Sequence, residues 1–595
     1  MSDRVDFGGV ALDAVPPRRA GRGAAVSWLP FVLGAALALA AYLAAVPLFV
    51  LIASSVNASG AHLPFETGVV TLANYAAVLG DPSTYRLLGN SAVFAIGSTV
   101  LGLAIAVFFS WLIERTDIPA RRFLFVAVLI PMAIPNMIYT TSWLQLLDAH
   151  TGLVQVTFQQ LGVPFPALDI LSLGGMIFIQ GIALASHAYL LIAAAFQTVD
   201  PTWEEQSAIS GKGRFATLRR VTLPVLRPAL LSVVIFFLMV CIETFDVPGM
   251  VGLSAGIQVL STRIYWATHP EGGQLPDYGV ASALALILVV IAFALIQLYQ
   301  AQLKRGRRYV TITARGFRPK RVALGGWRLP LLLVALALLF VMVALPLFML
   351  VWRSLLHYYV YPSLAALGLV GLDAYRDLID EPQVPAAVAN TAIMAAATAA
   401  FTVGFSMLAA WLTVRAPIGG GWRRLLRTIV LLPQAVPSVV IGVAFMITYL
   451  RVPVPIYGTV WIIALALATK FMAYTTGSLS AAQIQVAGEL EEAALIAGAG
   501  QFKTYRRIMM PLMAPALLNC TLWVVIHAIR ELVIALTLYS PSAQVLSTQV
   551  WGLWQGGQID DLCALGVMLA LLLAVLLTLP SIVTQAAAVV RGARR

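Results

Sequence analysis

Two sets of residues carry charge into an otherwise apolar chain, and each asks for a particular chemistry. The first set lies inside runs long enough to cross a bilayer. The stretch CIETFDVPG holds Glu243 and Asp246, the stretch AIRELVIAL holds Arg530 and Glu531 at a matching place, and Lys470 stands by itself in another run. Charges at such depth are costly and face a partner or a path. Two uses stay open for these five: ion pairing that locks helices together, or a place in a translocation path or gate.

The second set is a segment that occurs twice. LEEAALIAGAGQFKTYRRIMMP, Leu490 to Pro511, contains Glu491, Glu492, Ala493, Ala494, Gly498 and Pro511. WEEQSAISGKGRFATLRRVTLP, Trp203 to Pro224, repeats the layout 287 positions earlier with Glu204, Glu205, Gly211, Leu223 and Pro224. Acidic residues in the first turn of a run of good helix formers complement the helix dipole, so a short helix is expected. The glycine then supplies the backbone needed to stop and turn, and a second helix leads to the proline. One copy reads equally well as an interfacial loop, but recurrence at the same place in both halves favours a shared task.

The elements that must hold these residues are strongly apolar: 60% of the 595 residues are hydrophobic, 11% are charged, and the mean hydropathy is +0.89. Twelve runs of about 20 residues or more argue for membrane-spanning helices rather than a barrel. The net charge of +12 is a topology signal. Five of the 38 Lys and Arg fall in or beside alternate, outer loops and two within runs, while the other 31 lie in segments that are all cytoplasmic if the amino terminus is. No basic patch with interleaved aromatics accompanies them, so membrane lipid and not nucleic acid is the expected environment.

Self-similarity sets the grouping. GNSAVFAIGSTVLGLAIAVFFSWLIERTDIPARR from Gly89 matches ANTAIMAAATAAFTVGFSMLAAWLTVRAPIGGGWRR from Ala389, pairing Arg115 with Arg415. The expected fold is an all-α polytopic membrane protein with twelve transmembrane helices as two parallel six-helix repeats. Its parts are a cytoplasmic tail 1–27, a first half 28–301 with the charged segment 203–224, a basic cytoplasmic linker 302–328, a second half 329–588 with the segment 490–511, and a cytoplasmic tail 589–595. Pro131 with Pro135, and Pro433 with Pro437, remove backbone donors inside the third span of each half, so both spans should kink. Such kinks serve packing or border a path.

No G-x-x-x-x-G-K-[ST] loop occurs, so nothing here is read as cradling ATP phosphates. Cys241, Cys520 and Cys563 stand singly, and His62, His150, His269 and His357 are dispersed over outer segments, with neither set at metal-ligand spacing. His187 and His527 lie in spans and form no evident haem pair.

The duplicated segment resembles the EAA motif of permease subunits of importer-type ATP-binding-cassette (ABC) transporters. The resemblance implies the type I importer transmembrane-domain fold, and it makes each segment a coupling helix seated on a separate ATPase subunit. Glu204, Glu205, Gly211, Leu223 and Pro224 take those roles in the first copy, and Glu491, Glu492, Ala493, Ala494, Gly498 and Pro511 in the second. Gln206 and Ser207 depart from the motif's two alanines, which implies unequal contacts. The implied assembly is this chain with two ATPase copies and one solute-binding protein, in a bacterial inner membrane with both termini cytoplasmic. The chain is then no enzyme and holds no cofactor, ATP being bound by the partner. GIQVLSTRIY, RYVTITARGFRP and LYSPSAQVLSTQVWGLWQGG add a resemblance to the fused permeases of ferric-iron importers, with thiamine, phosphonate, sugar-phosphate and polyamine importers as alternatives. A secondary transporter of the major-facilitator type also has 6+6 helices but no such duplicated segment.

Overall fold

The computed structural model describes residues 4–7, 10–13, 28–58, 65–66, 68–163, 169–270, 274–306, 321–451 and 455–592. Nine long apolar helices and three bent helix pairs among them make twelve spans by length and composition. In the first half these are α1 (Leu29–Ser55), α2 (Pro82–Arg115), α3 (Arg121–Ala133 and Asn136–Leu147), α4 (Leu173–Thr198), α5 (Arg214–Glu243) and α6 (Tyr278–Gly306). In the second half they are α7 (Gly325–Ser354), α8 (Gln383–Val414), α9 (Gly420–Ala435 and Ser438–Arg451), α10 (Val460–Gln485), α11 (Gln501–Leu512 and Ala514–Arg530) and α12 (Ile559–Gly592). Outside this all-α frame, Arg4–Phe7 and Val10–Asp13 pair as two short antiparallel strands.

The segment 302–328 is shorter as a linker than its basic composition suggests. α6 is helical as far as Gly306 and α7 begins at Gly325, in keeping with the good helix formers Gln, Lys and Arg at its end. Residues 307–320, the tail 14–27 and His62 lie outside the described residues.

The third spans break at their prolines, by 101° in α3 and 108° in α9. Each break is a single 3₁₀ turn, closed by Ile134 N–H on the Pro131 carbonyl at 3.2 Å and by Val436 N–H on the Pro433 carbonyl at 3.1 Å. Helix resumes with Tyr139 N–H on Pro135 and Ile441 N–H on Pro437, both at 3.0 Å. Since neither Pro135 nor Pro437 has an N–H, the carbonyls before the break are left for other donors.

The fifth spans end sooner than their apolar runs. α5 stops at Glu243 and α11 at Arg530, where Thr244 and Glu531 turn extended, so Asp246 and Glu531 lie just beyond the helices. Pro248 has no N–H to offer the Thr244 carbonyl, which instead accepts from Ser261 Oγ at 2.7 Å. Ser547 Oγ serves Glu531 in the same way at 3.0 Å. Both serines sit on short helices, Leu260–Thr268 and Leu546–Gln555, that are anchored alike: Ser91 Oγ accepts from Leu260 N–H, and Thr391 Oγ1 from Leu546 N–H, each at 2.8 Å.

Within each half the second and fourth spans pack closely, α2 on α4 and α8 on α10. A Cβ on Gly102 would come to 2.8 Å from the Gly181 carbonyl oxygen, so small residues allow the approach, as is usual between membrane helices. The first span of each half packs on the third span of the other half, α1 on α9 and α7 on α3. Tyr42 and Tyr449 share a hydroxyl hydrogen bond at 2.9 Å in one crossing, and Tyr139 Oη donates to the Met342 carbonyl at 2.8 Å in the other. The two halves are therefore interlocked rather than merely side by side.

Candidate functional site

The two charged segments fold alike. In the first copy, Asp200 accepts the Thr202 N–H at 2.9 Å and starts a helix over Pro201–Ile209. That bond and the Thr202 hydroxyl hold the Asp200 carboxyl below the usual carboxylate range. The second copy forms a helix over Glu489–Ile496, with Glu489, Glu491 and Glu492 in its first turn. Each helix ends at glycine in the left-handed region, Gly211 at φ +76° and Gly498 at φ +78°. Closing bonds follow at once, Lys212 N–H to the Ser207 carbonyl at 3.1 Å and Ala499 N–H to the Ala494 carbonyl at 3.0 Å, the pattern of a glycine-capped helix.

The first glutamate of each pair points inward. Glu204, 6% exposed, accepts from Thr222 Oγ1 at 2.8 Å and stands 3.7 Å from Arg115 Nη1. Glu491 stands 3.8 Å from Arg415 Nη1. Each arginine also caps its neighbouring fourth span: Arg115 Nη2 donates to the Phe196 and Val199 carbonyls, and Arg415 Nη2 to those of Gln483 and Val486, all at 2.6 Å. One guanidinium thus ties the end of the second span, the end of the fourth and the charged helix into a unit. The repeat pairs Arg115 with Arg415 in sequence, but only the fold reveals what they hold.

Ser207, which stands where the second copy has Ala494, is buried, and its hydroxyl meets Thr217 Oγ1 at 2.8 Å. That departure from the motif is internal, while Gln206 is exposed. The outward face carries two residues that the sequence pattern does not single out: Ile209 is 86% exposed and Ile496, its repeat partner, 87%. An isoleucine thus stands exposed at the same point of both copies.

Leu223–Pro224 and Met510–Pro511 sit within continuing helices rather than ahead of them. A π turn precedes each proline, Leu218–Thr222 and Tyr505–Met509. There Leu223 N–H reaches the Leu218 carbonyl, and Met510 N–H the Tyr505 carbonyl, five residues back. Widening the turn re-pairs carbonyls that the missing proline donor strands. Phe340–Ala344 before Pro346 has the same spacing, whereas the fourth described π turn, Pro248–Gly252, begins on its proline. The copies differ beyond the proline: α5 continues unbroken, whereas α11 bends by 74° at Met513.

The in-span charges do gather, but not as a lock between the fifth helices. Arg530 Nη1 donates to the Met132 carbonyl at 2.7 Å and Nη2 to the Ile134 carbonyl at 3.3 Å, both in the break of α3. Lys470 is not alone: it hydrogen-bonds Ser438 Oγ and stands 3.7 Å from Glu531 Oε2. Glu243, the last residue of α5, shares the field of Lys470 and Glu531. Asp246 lines a cavity of about 20 Å³ with Pro135, Asn136, Arg530, Leu532 and Ser547, room for about one water. His187 and His527 bond the carbonyls of Ala183 and Trp523, four residues back. No group of three or more His, Cys, Asp or Glu is placed to hold a metal ion among the described residues.

Two interlocked six-span repeats with matched charged helices define a membrane permease built from a duplicated unit. Residues 98–308 and 403–588 each match the family profile described as binding-protein-dependent transport system inner membrane component. The chain belongs to that family and is a permease subunit of the ABC importer type with both halves in one polypeptide. The ferric transport system permease protein FbpB of Actinobacillus pleuropneumoniae is 25% identical over 517 residues, 84% of this chain and 71% of that protein. A putative ferric transport system permease protein, FbpB 1 of Haemophilus influenzae, is 25% identical over 456 residues, 74% of this chain and 68% of its own. The trehalose/maltose permease protein MalF of Thermococcus litoralis is 26% identical over 257 residues, 40% of this chain and 82% of its own. A solved bacterial ABC transporter that imports alginate aligns with a TM-score of 0.36 at 19% identity, over 44% of this chain and 96% of that one.

Proposed function

We propose that this chain forms the whole transmembrane pathway of an ATP-driven importer and that its substrate is ferric iron. In this reading a solute-binding protein delivers the ion to the outer face, and two copies of a separate ATPase subunit close on ATP beneath the two charged helices. Closure pushes on both helices, opens the seam outward by alternating access, and hydrolysis resets it. The chain sits in the inner membrane with both termini in the cytoplasm, and ATP stays with the partner.

The observation that carries the reading is the matched pair of coupling helices, each held by an arginine that also grips the second and fourth spans and each offering a bare isoleucine outward. A force applied at Ile209 or Ile496 reaches two spans through one rigid contact. Iron as substrate rests on the two ferric permeases whose similarity runs through both halves.

Proteoliposomes holding this chain with its ATPase, supplied with a ferric-loaded binding protein, test the reading. ATP-dependent accumulation of iron is the expected result. Uptake of thiamine or an aminoalkylphosphonate in place of iron would overturn the substrate, and uptake driven by an ion gradient without ATP would overturn the mechanism.

A further inference from the structure

The end of the linker is stitched to the first charged segment rather than hanging beside it. Val322 forms a parallel bridge with Thr116 at the end of α2: its N–H donates to the Arg115 carbonyl at 2.8 Å, and its carbonyl accepts from Asp117 N–H at 3.2 Å. Leu324, fully buried, donates its N–H to Asp117 Oδ1 at 2.7 Å and accepts from Arg214 Nη1, while Arg328 pairs with Asp117. Phe215 meets Trp111 at 5.7 Å and Trp327 at 5.3 Å between ring centroids. Residues that lead into the second half therefore wall a cavity of about 730 Å³ beside the first charged helix. Glu205 and Ile209 line it from that helix, Lys212 and Arg214 from the turn and the start of α5, and Arg321 and Trp327 from the linker end.

The lining holds three cations and two acids, and one of those acids, Glu204, is committed to Arg115. Arg321 and Lys212 are exposed, and the exposed Ile209 lies on the same wall, so the cationic groove and the isoleucine face are continuous. The second copy has different chemistry. At the offset of 287, Ala499 and Gln501 replace Lys212 and Arg214, with Lys503 in place of Ala216. Phe502, the repeat partner of Phe215, is 75% exposed where Phe215 under Trp327 is 44% exposed.

We propose that the linker end and the first charged segment form one docking groove for an acidic segment of the ATPase copy on the first half. That copy grips both halves at once and largely by charge, whereas the copy on the second half is held by apolar contact at Ile496 and Phe502. The ATPase as occupant rests on the function proposed above; the wall that the linker builds does not. Exposed cations at a contact set its salt dependence, so two copies of one subunit should bind with unlike responses to salt.

Titration of the ATPase onto immobilised permease, at about 0.05 M and about 0.5 M salt, reads the two sites as two phases. In the unaltered chain one phase is expected to weaken by about tenfold as salt screens the groove, and the other to hold within about threefold. K212E with R321E should weaken the salt-sensitive phase by about tenfold at low salt and abolish its salt response, leaving the other phase as it was. K212R with R321K should keep both phases, and R424E, which reverses an exposed charge outside the groove, should change neither. D117A tests the wall itself, because it removes the acceptor of Leu324 N–H and Arg328 while making the site more positive. The salt-sensitive phase should weaken in D117A; a tighter phase would show that charge alone attracts the partner and that the wall plays no part. Equal salt responses in the unaltered chain, or K212E with R321E binding like the unaltered chain, would overturn the groove. No ATPase binding to the unaltered chain at all is a different result, which would overturn the importer reading and the groove's occupant with it.

Discussion

At the residue scale, the burden falls on side chains whose neighbours lie far away in sequence. Arg115 is the clearest case: it is buried, it caps α4 and it faces Glu204, itself buried. Arg115→Ala leaves a buried carboxylate without its counter-charge and two carbonyls without a donor, and should destabilise the chain by about 3–5 kcal/mol. Arg415 and Glu491 are more exposed, at 15% and 20% of their side chains. Solvent screening weakens their tie, so Arg415→Ala should cost only about 1–2 kcal/mol. Thermal unfolding of the two variants in the same detergent checks the order, and equal losses would contradict it. On the contact face, Ile496→Asp forfeits burial of one aliphatic side chain against the ATPase, about 2 kcal/mol or roughly thirtyfold in affinity. Titration of the ATPase onto immobilised permease measures it, with Gln206→Ala as a variant expected to stay near neutral.

At the element scale, the left-handed glycines decide whether the charged helices end where they do. Gly498→Val puts a β-branched residue at φ +78°, a strain of about 1–3 kcal/mol. No side chain stands within 4 Å of the added Cβ, so the effect is on turn geometry rather than on packing. Assembly and stimulated ATP hydrolysis should both fall in Gly498→Val; unchanged values in both would remove the coupling role from this segment. Much at this scale was legible in advance. The helix–glycine–helix layout followed from propensity and capping alone, and the proline pairs at 131, 135, 433 and 437 marked where a backbone donor is missing. The ends of the fifth spans were not legible, because apolar residues beyond Thr244 and Glu531, such as Phe245, Val247, Leu532 and Val533, extend the hydropathy run while Ser261 and Ser547 take over the next carbonyls. The π turns were equally hidden, although the prolines that cause them stand in plain view. Ile209 and Ile496 carry no mark in the sequence pattern, and only the fold shows them uncovered.

At the scale of the whole molecule, duplication explains both the symmetry and its exceptions. Repeat alignment established two halves of six spans, but it could not show that α1 and α7 cross to the opposite half, or that Arg530 reaches a break 396 to 398 residues away. Contacts of that separation leave no trace in local pattern. The topology is tested by reporter fusions: positions 310 and 430 are expected to read cytoplasmic and position 364 external, the reverse being incompatible with both termini inside. The central claim is that one chain offers two docking points for an ATPase, and native mass spectrometry of the purified complex tests it most directly. One permease chain with two ATPase copies is the predicted mass, falling to a single copy in Ile496→Asp and to none in the Ile209→Asp/Ile496→Asp double variant. A complex with one ATPase copy in the unaltered protein, or two copies retained in the double variant, would contradict it.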